Sequence, residues 1–395
     1  MSYGKLAKGI SEKEARMKLQ KVMPASDRAK DFNGASPPSV FVGSHGYPKV
    51  SAGILSPQHP GDSRLFDSPG KWKKSNYSIE RIASLRTSLV NSKKQFKVKE
   101  ADSFLDDTKE VAMARKPVDL EVSLEKKPGQ SITGGRAKPV SASGDVKKLT
   151  LGENPSVERK LEDMFYDTDA KSETAVEELY SSGVSNYDIQ QSFSVGMLGE
   201  EQNRKLVPTR WSITATDDMI SKQLRDSVRT NQELGEIRYF QSSYVGNNFH
   251  VFLIPGNWEF ELIELKKSGS VWNSMKNTYI AQNYEPATGR KNYAEETAGA
   301  YYASRLSALE YLNRINRRAK VLIVRDVTPE YWAPLGVWVI REAVRDAFGD
   351  YRELESMRDV KQNISDNFRF LYSRIENCSK LMGSRQQSLS YYGSS

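Results

Sequence analysis

The chain has 395 residues, 38% of them hydrophobic, and 58 Lys and Arg against 50 Asp and Glu give a net charge of +8. That is enough chain to bury a sizeable core; no apolar run approaches the roughly 20 residues that span a bilayer, and residues 5–30 lack the apolar core of a secretion signal. Cys378 is the single cysteine, which excludes an intrachain disulfide and a cysteine-rich zinc module, so a reducing, cytoplasmic setting and tolerance of polyanions are expected.

In chain order, residues 1–30 read as a basic helical extension, with Lys5, Lys8, Lys13, Arg16, Lys18 and Lys21 set beside a thin apolar stripe of Ile10, Leu19 and Val22. From Ser36 the texture changes to one short β-rich run at residues 39–43, followed by Gly46, Pro48, Gly53, Pro57, Pro60 and Gly61. This predicts an irregular, loop-rich region laid on a single strand. Ile79, Ile82, Ala83, Leu85, Leu89 and Val90 recur at helical spacing, and residues 118–124 alternate as a half-buried strand does. A Gly, Ser and Lys-rich stretch at 128–145 is the expected linker or exposed hairpin, which makes 31–127 a loop-rich N-terminal region and 146–382 the main α/β domain.

Within that second part, residues 157–166 and 172–180 read as helices, the latter capped by Ser172. Residues 208–214 read as a strand leading to a helix from Asp217. Strands at 237–244 and 248–254 flank Gly246 and Asn247 as a hairpin, and a third at 258–265 suggests an antiparallel meander. A long amphipathic helix at 294–318 and a buried strand at 320–326 follow, then final helices at 337–348 and 366–381. The expected fold is mixed α+β: an antiparallel-rich central sheet with packed helices and a flexible tail at 383–395.

The tail carries Gln386, Leu389, Tyr391 and Tyr392, spaced as glutamine, two residues, an aliphatic, two residues and an aromatic. This resembles the PIP box that docks on PCNA-type sliding clamps; one tight helical turn would set Leu389 and Tyr392 on one side as an apolar plug. A second terminal aromatic is absent, Gly393 standing there instead. The alternative for so apolar a terminus is simple packing onto the body.

Three longer strings are more specific: SPPSVFVG at 36–43 with GYPK at 46–49, VPTRWSIT at 207–214, and TPEYWAPLGVWVIRE at 328–342. In this order they resemble the archaeal Nre family of DNA-repair proteins. The resemblance implies a role in DNA-damage repair and, in members with the tail motif, binding to the PCNA-type clamp. Many members also carry an N-terminal four-cysteine zinc module, which this chain replaces with a lysine-rich extension.

Walker, Rossmann, nucleophile-elbow and HExxH signatures are absent. The candidate nucleotide or phosphate-binding residues are therefore strand-end residues Arg210, Trp211, Ser212 and Arg325, with Tyr301 and Arg341. Trp211 is either a stacking surface for a base or a core residue, and Arg341 either grips phosphate or pairs structurally with Glu342. His45, Asp62 and Glu330 are the candidate catalytic groups; no metal ligands and no cofactor are assigned. Two functions of different class follow: a clamp-tethered repair adaptor that binds DNA or a nucleotide, and a hydrolase of adenine nucleotides or ADP-ribose adducts. The second requires Arg210, Trp211, Arg325, Glu330 and His45 to converge on one pocket.

Overall fold

The computed structural model describes residues 12–23, 28–129, 141–152, 155–270, 272, 273 and 275–383. The first six strands are β1 (Asp31–Ser36), β2 (Val40–Val42), β3 (Lys49–Ser56), β4 (Val90–Lys97), β5 (Val118–Leu124) and β6 (Ala142–Leu151). They form one sheet in the order β1-β5-β6-β4-β3-β2, antiparallel except for the β4–β6 pair. The region read as loops on one strand thus contributes two strands, β2 and β3. Its punctuators sit at the turns or, as Gly53 does, inside a strand: a Cβ there would lie 2.2 Å from Asn91 Oδ1, so only glycine fits. Residues 142–145 of the expected linker begin β6, whereas 130–140 lie outside the described residues.

The N-terminal helix Glu12–Val22 buries Leu19 and Ala15, and it packs on the helix Ile79–Ser88. Ser78 caps that second helix through a bond from the Arg81 amide. Helices Arg159–Tyr166, Ser172–Ser181 and Asn186–Ser194 follow β6. Ser172 is not a cap; its hydroxyl donates to the Leu198 carbonyl.

The largest departure from the sequence reading is at 208–214, which is not a strand but the start of a 22-residue helix, Thr209–Thr230. Pro208 sits at its N-cap and accepts from the Trp211 and Ser212 amides. The buried face of this helix is Ser212, Thr216, Asp217, Met219, Ile220, Ser221, Leu224 and Val228. Hydroxyl residues occupy positions where apolar ones would have announced a 3.6-residue period, and the β-branched Thr and Ile imitate a strand.

The later strands are β7 (Gln232–Glu233), β8 (Ile237–Tyr244), β9 (Asn247–Ile254), β10 (Glu259–Lys266), β11 (Tyr279–Glu285), β12 (Arg317–Arg318), β13 (Lys320–Val327) and β14 (Arg352–Leu354). β7 and β12 pair alone; the others form a second sheet in the order β11-β10-β13-β9-β8-β14. The β8–β9 hairpin forms as expected, but the meander does not. β13 inserts between β9 and β10, parallel to β10, after the chain has crossed over through the helix Gly299–Arg314.

Alternation along these strands feeds two cores. Phe240, Val251, Phe260, Leu262, Val321 and Ile323 face the helices Gly299–Arg314 and Trp338–Ala347. Tyr239, Phe252, Ile263, Leu265, Leu322 and Val324 face Met357–Asn367, Tyr372–Cys378 and Lys380–Gly383. A single helix at 366–381 was expected there. The structure instead ends one helix at Asn367, preceded by a Ser356/Asp359 capping box, and starts two short ones. Glu261, fully buried on β10, holds the last of them: it accepts from Ser379 Oγ (2.7 Å), Lys380 N (2.8 Å) and Leu381 N (3.0 Å), and from Gln282 Nε2 (2.6 Å). Gln386, Leu389, Tyr391 and Tyr392 lie outside the described residues.

Candidate functional site: a cationic cleft

A cleft of about 1500 Å³ opens between the first sheet and the helical layer of the second, and all three unusual strings reach it. The first string enters because Pro37 and Pro38 have no N–H to give to a ladder and leave the sheet after β1. Gln191 takes over both ends of this link, donating from Nε2 to Pro38 O (2.7 Å) and accepting from Val40 N (2.8 Å). Ser39 Oγ donates to Asp67 Oδ2 (2.5 Å). The second string is stitched to the first: Thr209 Oγ1 accepts from Val42 N (2.9 Å) and lies 3.1 Å from Ser194 Oγ.

The third string is held from the hairpin turn. Gly246 O accepts from Thr328 N (2.9 Å) and Thr328 Oγ1 (3.1 Å), and Tyr331 OH accepts from Leu335 N (2.9 Å). Arg86 Nη1 then donates to Leu335 O (2.8 Å), so the N-terminal part grips this loop directly. Gly336 turns the chain at φ +114 into Trp338–Ala347.

Three helices of ten or more residues, Thr209–Thr230, Gly299–Arg314 and Trp338–Ala347, present first-turn residues to the cleft. Several of these first-turn amides are already taken, Trp211 and Ser212 by Pro208 O, Ala300 by Thr297 O, Tyr301 by Ala298 O and Val339 by Gly336 O, so what the helix starts bring to the cleft is chiefly the positive end of each dipole. Gly299–Arg314 begins after Ala298 at φ +47, a left-handed conformation that an alanine adopts only under constraint.

The charges lining the cleft are unevenly matched. Among its carboxylates, Asp67 pairs with Arg86 (3.7 Å), Glu158 with Arg115 (3.2 Å) and Glu264 with Lys266 (3.2 Å) and Arg325, while Glu296 accepts from Tyr279 OH (2.8 Å). Asp188 accepts from Ser185, and burial pushes its pKa above the ordinary carboxylate range. Arg210 is exposed, and neither it nor Lys71 makes a side-chain ion pair or hydrogen bond to another described residue.

The residues singled out from sequence divide into three groups. Arg210, Arg325 and Arg341 line the cleft, but only Arg210 has no side-chain partner among the described residues. Arg325 is buried and committed to Glu264 and to Asn247 Oδ1 (3.1 Å from Nε, 2.5 Å from Nη2). Arg341 does not pair with Glu342: its Nη2 donates to Asp217 Oδ2 at 2.5 Å, while Glu342 accepts from Tyr187 OH (2.7 Å) and Arg345 Nη1 (2.8 Å). Burial opposes the Arg341 charge, but Asp217 outweighs it and keeps the guanidinium cationic. Arg341 Nε has no hydrogen-bond partner among the described residues.

Tyr301 and Ser212 belong to the interior. Tyr301 OH donates to Glu285 Oε2 (2.7 Å), which also accepts from Arg305 (2.6 Å); burial raises the Glu285 pKa, and Arg305 with the Trp258 and Tyr301 bonds more than reverses this. Ser212 Oγ donates to Gln190 O. Trp211 is 44% exposed and tilts 57° against Tyr47 with ring centroids 5.1 Å apart, so it is not a core residue.

His45, Asp62 and Glu330 are exposed and do not line the cleft; Asp62 is bound to Arg64, whose hydrogen bonds hold its pKa down at about 2. The five side chains the hydrolase required are not assembled: two line the cleft, and Trp211, His45 and Glu330 do not. Among the described residues no three His, Cys, Asp or Glu side chains are grouped to hold a metal ion. Gln191, Arg86 and Asp217 organise the site, a role that nothing local in the sequence marks, since each is a single polar residue on a helix with its partner far along the chain.

This geometry defines an α+β protein built around a cleft that has free positive charge and three helix N-termini. Residues 13–273 match the family described as archaeal Nre, N-terminal, and residues 285–392 match archaeal Nre, C-terminal. The chain belongs to the archaeal Nre family. It is similar to the DNA repair protein NreA of Haloferax volcanii, 41% identical over 85% of this chain and 82% of that one. It is also similar to NreA (38%, covering 91% and 89%) and NreB (32%, covering 94% of each) of Archaeoglobus fulgidus, both likewise named DNA repair proteins. No solved structure matches the chain. Among the described residues, no helix is long and apolar enough to cross a membrane.

Proposed function

We propose that this protein is a cytoplasmic DNA-repair factor whose cleft binds the phosphate of a nucleotide within a DNA strand, and whose residues Gln386, Leu389, Tyr391 and Tyr392 tether it to a PCNA-type sliding clamp. The observation that carries the first half is Arg210, a cation on the first turn of Thr209–Thr230 with no side-chain partner among the described residues, in the cleft where the three family strings meet. Three relatives named DNA repair proteins support the process. The family match extends to residue 392, which supports a family role for the tail.

The cleft is tested by fluorescence anisotropy with labelled DNA. Arg210→Glu replaces attraction by repulsion at an exposed position, and a loss of affinity of about tenfold or more is expected, with folding unchanged. Unaltered affinity removes Arg210, and with it the cleft, from the reading. Adenine nucleotides and ADP-ribose are assayed separately for thermal stabilisation, since a ligand at about 100 times its Kd adds about 2.7 kcal/mol to the folded state. The tether is tested by calorimetry against a sliding clamp with and without residues 384–395; equal affinities end it.

A further inference from the structure

We propose that the solvent-facing side of β2–β4, with the Tyr47–Trp211 pair, is a track along which single-stranded DNA enters the cleft. The inference rests on the reading of the cleft as a nucleotide site and adds the form of the nucleic acid and its path.

Strand alternation puts Lys49, Ser51 and Gly53 of β3 on the same face as Lys93, Gln95 and Lys97 of β4 and Phe41 of β2. The register makes Lys49 face Lys97, Ser51 face Gln95, and Gly53 face both Lys93 and Phe41. Like charges directly opposed across a strand pair cost stability. Yet Lys49 and Lys97 stand opposed, and neither they nor Lys93 makes a side-chain ion pair or hydrogen bond to another described residue. Asp145 of β6 stands in register beside Lys93, and Glu100 Oε2 accepts from the Lys97 amide, but neither forms an ion pair with these lysines; a row of cations without ion-pair partners on a sheet face is the footprint of a polyanion.

The middle of the face carries only small residues on β3, Ser51 and Gly53, and Asn91 and Lys93 of β4 lean over Gly53. One step further along the same strands, Leu55 and Asn91 face each other and line the cleft, so the face and the cleft are continuous.

Aromatic rings border this path. Tyr47, two residues before Lys49, is 42% exposed and rests against Trp211; Phe41, also 42% exposed, lines the cleft, as does Arg210 beside Trp211. Interior tryptophans such as Trp72 and Trp258 are 0–1% exposed. Exposed rings interleaved with lysines on a sheet match a single strand, whose phosphates follow the cations while its unstacked bases pack on the rings. A duplex hides the base faces, and a phosphorylated peptide offers charge without a planar partner for the rings.

The test uses the full chain and a fluorescein-labelled oligothymidylate of about 12 nucleotides, within the range covered by sheet-face binders. A duplex of equal length and a phosphoserine peptide serve as comparators. The oligothymidylate is expected to bind more tightly than either. Trp211→Ala and Tyr47→Ala should weaken it about 5- to 100-fold, with Trp211→Phe retaining most of the affinity. The double variant Lys93→Glu, Lys97→Glu should weaken it and lower the slope of log K against log salt by about 1.4, two single-strand phosphate contacts. Far-UV circular dichroism verifies that these surface variants fold. Equal binding of the duplex or the peptide overturns the inference. So does parent-like affinity in Trp211→Ala and the lysine variant while Arg210→Glu fails, an outcome that leaves the cleft reading standing. Absence of oligonucleotide binding by the parent overturns both.

Discussion

Replacing Asp217 by alanine should destabilise the protein by about 3–5 kcal/mol, the usual cost of stripping one partner from a buried ion pair. Asp217 is fully buried and accepts from Arg341 Nη2 at 2.5 Å and Gln190 Nε2 at 3.0 Å. The alanine leaves a guanidinium in the interior without its anion and an amide without its acceptor, each of which costs on its own. With an unfolding entropy of about 2.1 cal/mol/K per residue, 395 residues give roughly 0.8 kcal/mol/K, so Tm should fall by about 4–6 °C. Asp217→Leu combined with Arg341→Met removes both charges and should recover part of the loss, remaining about 1–3 kcal/mol below the parent because the Gln190 amide still lacks its acceptor. Thermal and urea unfolding followed by circular dichroism measure all three proteins. A single variant melting within a degree of the parent, or a double variant no better than the single, refutes the assignment of this pair as the electrostatic support beneath the cleft.

Gly246→Ala should displace the 328–336 loop, because Gly246 is at φ +78 and a Cβ would lie 2.4 Å from Tyr331 N; DNA affinity should fall with far-UV circular dichroism unchanged, and an unaltered affinity would sever the hairpin turn from the site. His250 is packed between Tyr239 (OH to Nδ1 2.8 Å) and Phe368, and burial lowers its pKa to about 4. An unfolded imidazole binds its proton near pH 6.5. Between these values the unfolded state holds more protons, so a contribution of at most about 3 kcal/mol, complete above pH 6.5, is lost as pH falls through 4. Urea midpoints across this window should slope accordingly, and His250→Gln should flatten the slope.

What could be read in advance follows the range of the interactions concerned. Strands β5 and β8 were legible to the residue because alternation is local, and the β8–β9 hairpin because Gly246 announces its turn. The insertion of β13 between β9 and β10 was not, since register across a crossover leaves no mark in either strand. Likewise Arg210 and the 328–336 loop drew notice as unusual strings, whereas the partner of Arg341 lies 124 positions away in a helix whose hydroxyl-rich face imitated a strand. His45 and Asp62 stood out because histidine and aspartate are chemically versatile. Exposure, which no local pattern encodes, leaves them at the surface.

Glu261 sets the geometry of the proposed tether. By fixing Lys380 and Leu381 to the middle of the second sheet, it anchors the backbone through Gly383, three residues before Gln386 in sequence. Three extended residues reach at most about 10 Å, so a clamp that takes Gln386 cannot be towed on a long leash. It would have to seat close to the Met357–Asn367 and Tyr372–Cys378 face, where Phe370 is 94% exposed. Were the tether to form as proposed, such a mount would turn a short motif into an orienting device, one buried carboxylate limiting the angles open between the clamp's DNA channel and the cleft.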